Sequence, residues 1–327
     1  MKRISRIFKI VFFLFLSLIL VLSVAAYFLQ DRIIGIITES LNKQLLTKFE
    51  YSKSNLSFIS NWPKATVKLT DLLVHSSTSI NREQFSEINA DTLLFAKSAR
   101  IDFSITDIIA GNYKIDRITV SNAKLRLLTD SAGMVNYEIT APGGEEKEEN
   151  FEINLNSVFA EDVTTHYIDL KSGFSMAGLI DNSRLKSRIR NGQSDFMAEG
   201  EIVLDSAASG AFRIKNRIKA GFNIDLEANE SLLTIKNGLL KTDSYRFGIS
   251  GTYDFSGNIN ILLNGENLSL SEISSLLNEK YKLEKYGFTP NGRFNAICTI
   301  SGPLTKTKSP DFSVSFSMSD GSLSREG

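Results

Sequence analysis

The sequence predicts a mainly β protein, in which an N-terminal transmembrane helix and an amphipathic helix precede one long twisted antiparallel sheet with few short helices. Three observations carry that expectation. From Tyr51 onward apolar and polar residues alternate with a period of two almost to the last residue. The 327 residues include only 5 prolines but 22 phenylalanines, a composition that suits extended strands joined by polar turns. One uncharged apolar run, at the N-terminus, is long enough to cross a bilayer.

The chain opens with a basic tail, residues 1–9, in which Lys2, Arg3, Arg6 and Lys9 precede "IVFFLFLSLILVLSVAAYFLQ", Ile10 to Gln30. About fifteen Leu, Ile, Val and Phe residues there favour insertion by about 6 kcal/mol, and the basic cluster predicts that this end stays in the cytoplasm. The apolar run continues through Tyr27, Phe28 and Leu29, past the small residues of "SVAA", and so favours a retained anchor. A cleaved signal peptide is the alternative; under either reading everything after Asp31 lies outside the cytoplasm. Next, "DRIIGIITESLNKQLLTKF", Asp31 to Phe49, places Ile34, Ile37, Leu41 and Leu45 on one stripe of a helix. Capping the following sheet is its expected role, with a position on the membrane surface as the alternative.

Then the period changes to two. Ala99, Ile101, Phe103 and Ile105 alternate with Arg100, Asp102 and Ser104 until "TDIIAGNY" turns the chain. Phase slips at Asp116-Arg117 and Ser121-Asn122 predict bulges or tight turns that return Ile118, Val120, Ala123, Leu125 and Leu127 to one face. Val135, Tyr137 and Ile139 read as another strand. "APGGEEKEEN", residues 141–150, reads as a solvated acidic linker rather than a cation site, dividing a domain over 31–140 from a continuation over 151–327. That continuation alternates at Phe151, Ile153 and Leu155, at Phe196 to Leu204, at Ala220 to Ala228, and at Tyr245 to Leu263. Gly210, Asn237-Gly238 and Gly257-Asn258 are the expected turns. Short connections favour a meandering antiparallel topology. "SLSEISSLLNEKY" reads as a helix with Leu270, Ile273, Leu276 and Leu277 on one face. Phe312, Val314, Phe316 and Met318 form a last strand followed by "SDGSLSREG"; an uncovered sheet edge there predicts that the sequence is the N-terminal part of a longer chain.

Chemistry is sparse along this pattern. Lys plus Arg equals Asp plus Glu at 37 each, so no net field draws nucleic acid or an acidic substrate. One cysteine, Cys298, permits no intrachain disulfide; it shares parity with Phe294, Ala296 and Ile300 and reads as a buried small apolar residue. The cofactor, nucleotide, zinc and nucleophile motifs GxGxxG, Walker A, HExxH, CxxC and GxSxG are absent, so no enzyme activity and no cofactor are expected. His166, near Asp162 and Asp169 in "VTTHYIDL", reads as a solvent-facing strand residue rather than part of an acid/base pair, and His75 likewise. Trp62, held extended by Pro63 in "SNWPKA", is expected to pack into the core, with a bilayer-interface position as the alternative.

An ordered set of segments resembles the N-terminal part of the AsmA family, AsmA/TamB-like proteins of the bridge-like lipid transfer superfamily. The set is the basic tail and span, "IIGIITESLNKQLLTKF", "LSFISNWPKATVKLTDLLV", and "ARIDFSITDIIAGNYKIDRITVSNAKLRLLTDSAGMVNYEI". The last matches the recurring "I.V..A.L.L" strand and "D..G..NY" turn of the family. Further on, "GISGTYDFSGNINILLNGENLSLSEISSLL" and "PNGRFNAICTISGP" resemble downstream repeats, especially Bacteroidetes-like ones. The resemblance implies a single-pass bacterial inner-membrane anchor, with the bulk in the periplasm as an open taco-like sheet. It further implies phospholipid as partner and a part in phospholipid movement and outer-membrane homeostasis. The alternative is a non-enzymatic assembly factor that contacts envelope proteins. Ile101, Phe103, Ile105, Leu125, Leu127, Phe222, Ile224, Leu226, Phe247 and Ile249 are the expected groove lining. Periodicity alone equally allows these residues to form the core of a closed β-sandwich.

Overall fold

The structure is a computed structural model that describes residues 2–110, 113–139, 151–152, 157–190, 193–209, 212–214, 217–254, 256–276, 282–303 and 310–325. It begins with a single helix, α1 (Lys2–Gln44), rather than the two expected. Asp31 and Arg32 do not interrupt it, because both are compatible with a helix interior and no proline lies in the segment. The helix ends at Gln44, so Phe49, expected within a helix, instead opens the first strand.

Among the described residues sixteen strands form one open, twisted sheet. They are β1 (Phe49–Glu50), β2 (Lys53–Asn61), β3 (Lys64–His75), β4 (Thr92–Ser104), β5 (Tyr113–Thr129), β6 (Phe151–Glu152), β7 (Val158–Asp169) and β8 (Phe174–Arg190). The remainder are β9 (Gln193–Ser209), β10 (Phe212–Ile214), β11 (Ile218–Ala228), β12 (Leu232–Lys241), β13 (Arg246–Asp254), β14 (Asn258–Ser269), β15 (Phe288–Pro303) and β16 (Asp311–Arg325). Two short helices interrupt them, α2 (Ile105–Ile109) and α3 (Leu270–Leu276). The sheet continues through the domain boundary expected around the acidic segment, with β7 paired directly to β5. Residues 141–150 themselves lie outside the described residues.

The pairing is antiparallel except at β5, where both β6 and β7 run parallel to it. This corrects the simple meander. A parallel neighbour needs a crossover of about a dozen residues or more. The chain between Thr129 and Val158 supplies it, returning to the start of β5 before β7 runs alongside.

Several local expectations are also corrected. Ile105 does not extend β4 but opens α2, where Ser104 Oγ accepts from the Asp107 N–H at 3.3 Å and caps the helix. Val135, Tyr137 and Ile139 form no strand. Asn136 instead folds its segment back: its N–H donates to Leu128 O at 3.0 Å, and its side chain accepts from the Leu128 N–H at 2.8 Å. Asn237-Gly238 is no turn but lies within β12 at a register shift, where the missing Cβ of Gly238 leaves room for the Ile249 side chain. "SDGSLSR" extends β16 by pairing with Phe288–Arg293. Gly257 does turn the chain, at φ 104°. Leu277 and Gly210 lie outside the described residues.

The expected slip at Asp116-Arg117 is a bulge: Asp102 pairs with Arg117 and Phe103 with Ile115, leaving Asp116 extra. The slip at Ser121-Asn122 belongs to a larger device. Asp71, Asn122, Asp162 and Asn182 adopt φ of 51°, 52°, 54° and 46°, a left-handed conformation that short Asx side chains tolerate. Flanking pairs place Asp71 beside Lys97 on β4, Lys97 beside Asn122, and Asn122 beside Asp162, with Asn182 on the next strand. The result is a crease across five strands. Each strand flips phase at the crease, so its apolar residues on both sides stay on one face, and Val67 and Val74, or Ile101 and Ala96, share one core.

Asp130 anchors the crossover. Its carboxylate accepts from the N–H groups of Ala132 and Met134 at 2.9 Å and of Asn81 at 3.0 Å. Burial opposes its ionisation, but the backbone donors outweigh burial and hold its carboxyl below the usual carboxylate range. Its contribution is thus present above the ordinary carboxylate pKa and lost as pH falls through the lower folded value. Asp130→Ala is expected to lower unfolding free energy by about 2–3 kcal/mol at neutral pH, with the difference from wild type shrinking below about pH 4. Urea denaturation across a pH series in a detergent micelle checks both statements.

Candidate functional site

Backbone pairing fixes which side chains stand beside each other, because directly opposed residues project from the same face of a sheet. Followed from strand to strand, one row begins at Leu56 on β2 and passes through Val67, Ile101, Ile118, Val158 and Leu185. It continues through Ala198, Ile224, Gly238, Ile249, Leu263 and Cys298 to Val314 on β16. Every step is a register pair, and no residue in the row is charged or carries a polar side chain other than the Cys298 thiol. Burial pushes that thiol up.

Two further rows flank it in the second half of the sheet. One joins Phe222, Leu240, Phe247, Gly265, Ala296 and Phe316. The other joins Phe196, Leu226, Ile235, Gly251, Ile261, Ile300 and Phe312. Charges lie on the other face: Arg100 pairs with Glu161 at 3.4 Å and Lys219 with Glu201 at 2.8 Å. Both pairs are exposed and screened, and contribute little to stability.

Cover over this apolar face is uneven. At the β2–β5 end, α1 lies on it with Ile33, Ile34 and Ile37 packed into one core with Val67, Ile101 and Phe103. Leu45 is half-buried, and the side chain of Leu41 lies outside the described ones. Val67 is fully buried at 0% exposure; Ile118, Ile224, Ile249 and Leu263 are half-buried; Val314 is 49% exposed. The expected lining residues therefore separate. Ile101 and Phe103 lie in the covered core, with Ile105 on α2 and the half-buried Leu125 and Leu127 packed against it, whereas Phe222, Ile224, Leu226, Phe247 and Ile249 are half-buried in the second half of the sheet. Of the row itself only Ile101, Ile224 and Ile249 were among the expected lining; Leu56, Val158, Leu185, Leu263 and Val314 are among the row residues that were not. Their parity was readable, but the register that aligns them was not.

The remaining candidates do not converge. Asp169 Oδ1 accepts from the N–H groups of Lys171 and Ser172, and Asp162 sits in the crease, so neither serves His166. His166 is half-buried rather than solvent-facing; burial first, then Arg126 and Lys124, hold its pKa below the usual imidazole value. His75 Nε2 lies 3.5 Å from Glu50 Oε1. Trp62 is 58% exposed, against the expectation of core packing. Among the described residues no group of three or more His, Cys, Asp or Glu could hold a metal ion. A polar pocket of about 650 Å³ lies between α1 and β2, lined by Asp31, Thr38, Asn42, Tyr51 and Ser54 among others. The side chains of Lys2, Arg3, Arg6 and Lys9 lie outside the described ones.

Compared with known protein families, curated proteins and solved structures, the chain matches none.

The gradient in cover sets a gradient in energetic cost. Ile101→Ala is expected to destabilise by about 2–5 kcal/mol and Val314→Ala by less than about 1 kcal/mol, with Ile249→Ala between them. Denaturant midpoints of the full chain in a fixed detergent compare the three.

Proposed function

We propose that this protein is a membrane-anchored, non-enzymatic lipid-binding protein whose apolar sheet face receives acyl chains. One observation carries the reading: a register-aligned apolar row crosses thirteen strands, sharing a core with α1 at its first end and staying half-buried or exposed at Ile224, Ile249, Leu263 and Val314. Moving a two-chain lipid of about thirty methylenes through water costs on the order of 20 kcal/mol at about 0.8 kcal/mol per methylene. A continuous apolar strip removes most of that barrier, and needs neither nucleophile nor metal.

α1 supports the anchoring part, being long and apolar enough to cross a membrane. With Lys2, Arg3, Arg6 and Lys9 on the cytoplasmic side, the sheet stands in the periplasm of a bacterial inner-membrane protein. In this reading the half-buried second half of the sheet holds phospholipid chains in an open groove, as in AsmA-like proteins, and contributes to phospholipid movement toward the outer membrane. No cofactor or nucleic acid takes part.

A second reading rests on β16. Its outer edge has no strand partner among the described residues, and Phe312 and Phe316 are exposed. Such an edge suits an assembly factor that pairs with an envelope protein.

Photo-crosslinking separates the two. With the reactive residue at Ile224 or Phe247, irradiated cells are expected to yield phospholipid adducts detectable by mass spectrometry, while Asn223 and Arg246 on the other face yield none. Lipid-free Ile224 and Phe247, together with protein adducts at Phe316, would replace the lipid reading with the assembly reading.

A further inference from the structure

The hairpin joining β2 to β3 carries an exposed aromatic residue at its tip. Trp62 is 58% exposed, and Ile59, two residues before the turn pair Asn61–Lys64, is 40% exposed. These are unusual side chains to leave in water at a loop tip, where polar residues normally stand.

The position of the tip follows from how β2 lies against α1. Tyr51 and Ser54 share a pocket with Asp31, Thr38 and Asn42, and the Leu56 N–H donates to Gln30 Oε1 at 3.2 Å. Phe58 is in the same core as Ala26. Higher numbers on β2 thus meet lower numbers on α1, and the strand climbs the helix toward its N-terminus. Along β3, Lys64 lies three residues from Val67, the partner of Leu56, so the tip stands about 10 Å beyond the Gln30 level. On a helix that distance is about six or seven residues, which brings the tip level with Val24.

That level of α1 has its own signature. Leu20, Val21, Val24, Tyr27 and Phe28 are exposed there beside Ser23, whereas just below the charged Asp31, Arg32 and Glu39 are exposed together with Gly35 and Asn42. The change from exposed apolar to exposed charged side chains marks where a spanning helix leaves the bilayer. Trp62 and Ile59 lie on the apolar side of that change.

We infer that the β2–β3 tip is a second membrane contact, with Trp62 and Ile59 seated in the bilayer interface beside α1. The occupant is the lipid surface itself. Tryptophan prefers the headgroup level, where its ring is buried and its indole N–H stays wet. The inference rests on α1 being a membrane span. Two contacts fix what one helix leaves free: rotation about α1 is restrained, and the covered end of the apolar row, at Leu56 and Val67, is held against the membrane.

Trp62 is the single tryptophan in the chain and therefore its own reporter. The full chain is reconstituted into liposomes of phosphatidylethanolamine and phosphatidylglycerol, with or without brominated acyl chains. The double variant Trp62→Phe/Phe28→Trp provides a reference within α1. The expected result is that brominated lipid quenches Trp62 to the same extent as the Phe28→Trp reporter, while aqueous iodide quenches neither. If the protein co-floats and the Phe28→Trp reporter is quenched by brominated lipid, but Trp62 is quenched by iodide alone, the hairpin contact is overturned and the span stands. Failure to co-float overturns both.

Discussion

Cross-strand register is the constraint on which the rest of this molecule depends. Side chains in a strand alternate, so a slip of one residue between any two neighbours would send every later apolar residue to the wet face. Thirteen strands nevertheless keep Leu56 to Val314 in one row. Some irregularities are matched from strand to strand, whereas the extra residues of β5 and β12 are bulges of one strand. The crease at Asp71, Asn122, Asp162 and Asn182 flips successive strands together, and Gly238 accommodates Ile249 where β12 shifts register. The Asx residues of the crease adopt left-handed backbone conformations that β-branched residues would resist, while Gly238 supplies space.

The helix α1 exploits that alignment at one end. Ile33, Ile34 and Ile37 meet a face already made continuous by β2 to β5, which is why the largest fully buried side chains collect there. Farther along the sheet Ile224, Ile249 and Leu263 on the same face are half-buried, and α3 lies against β10, β14 and β15. A closed sandwich would place a second sheet over this face; the described strands instead belong to one open sheet. The architecture thus concentrates burial at the α1 end and leaves apolar side chains half-buried or exposed elsewhere.

The polar devices serve geometry. Asp130 and Asn136 tie the crossover that makes β5 and β7 parallel, and Ser104 caps α2. Arg117 and Arg184 sandwich the ring of Phe159 at 4.9 and 5.2 Å, fixing long side chains on the face opposite the apolar row. His166, the residue most suggestive of acid/base chemistry in the sequence, has no hydrogen-bond partner at Nδ1, and burial, Arg126 and Lys124 outweigh the opposing charge of Asp205.

The sequence by itself determined the β class, the apolar N-terminal helix, the faces of most strands and the phase slip at Asp116, which the pairing resolved into a bulge, because each depends on the order of side chains over a few residues. Ile224, Phe222, Phe247 and Ile249 were legible as one-face residues for the same reason. Tertiary structure decided the parallel β5–β7 pair, the loop around Asn136, the alignment of Leu185 with Ala198 and of Cys298 with Val314, and the burial of Phe103 in the core that α1 shares. It also placed Trp62 at an exposed tip. These features depend on which distant segments share hydrogen bonds. Periodicity fixes the side of a strand on which a residue lies; only pairing fixes the residue beside it and what covers both.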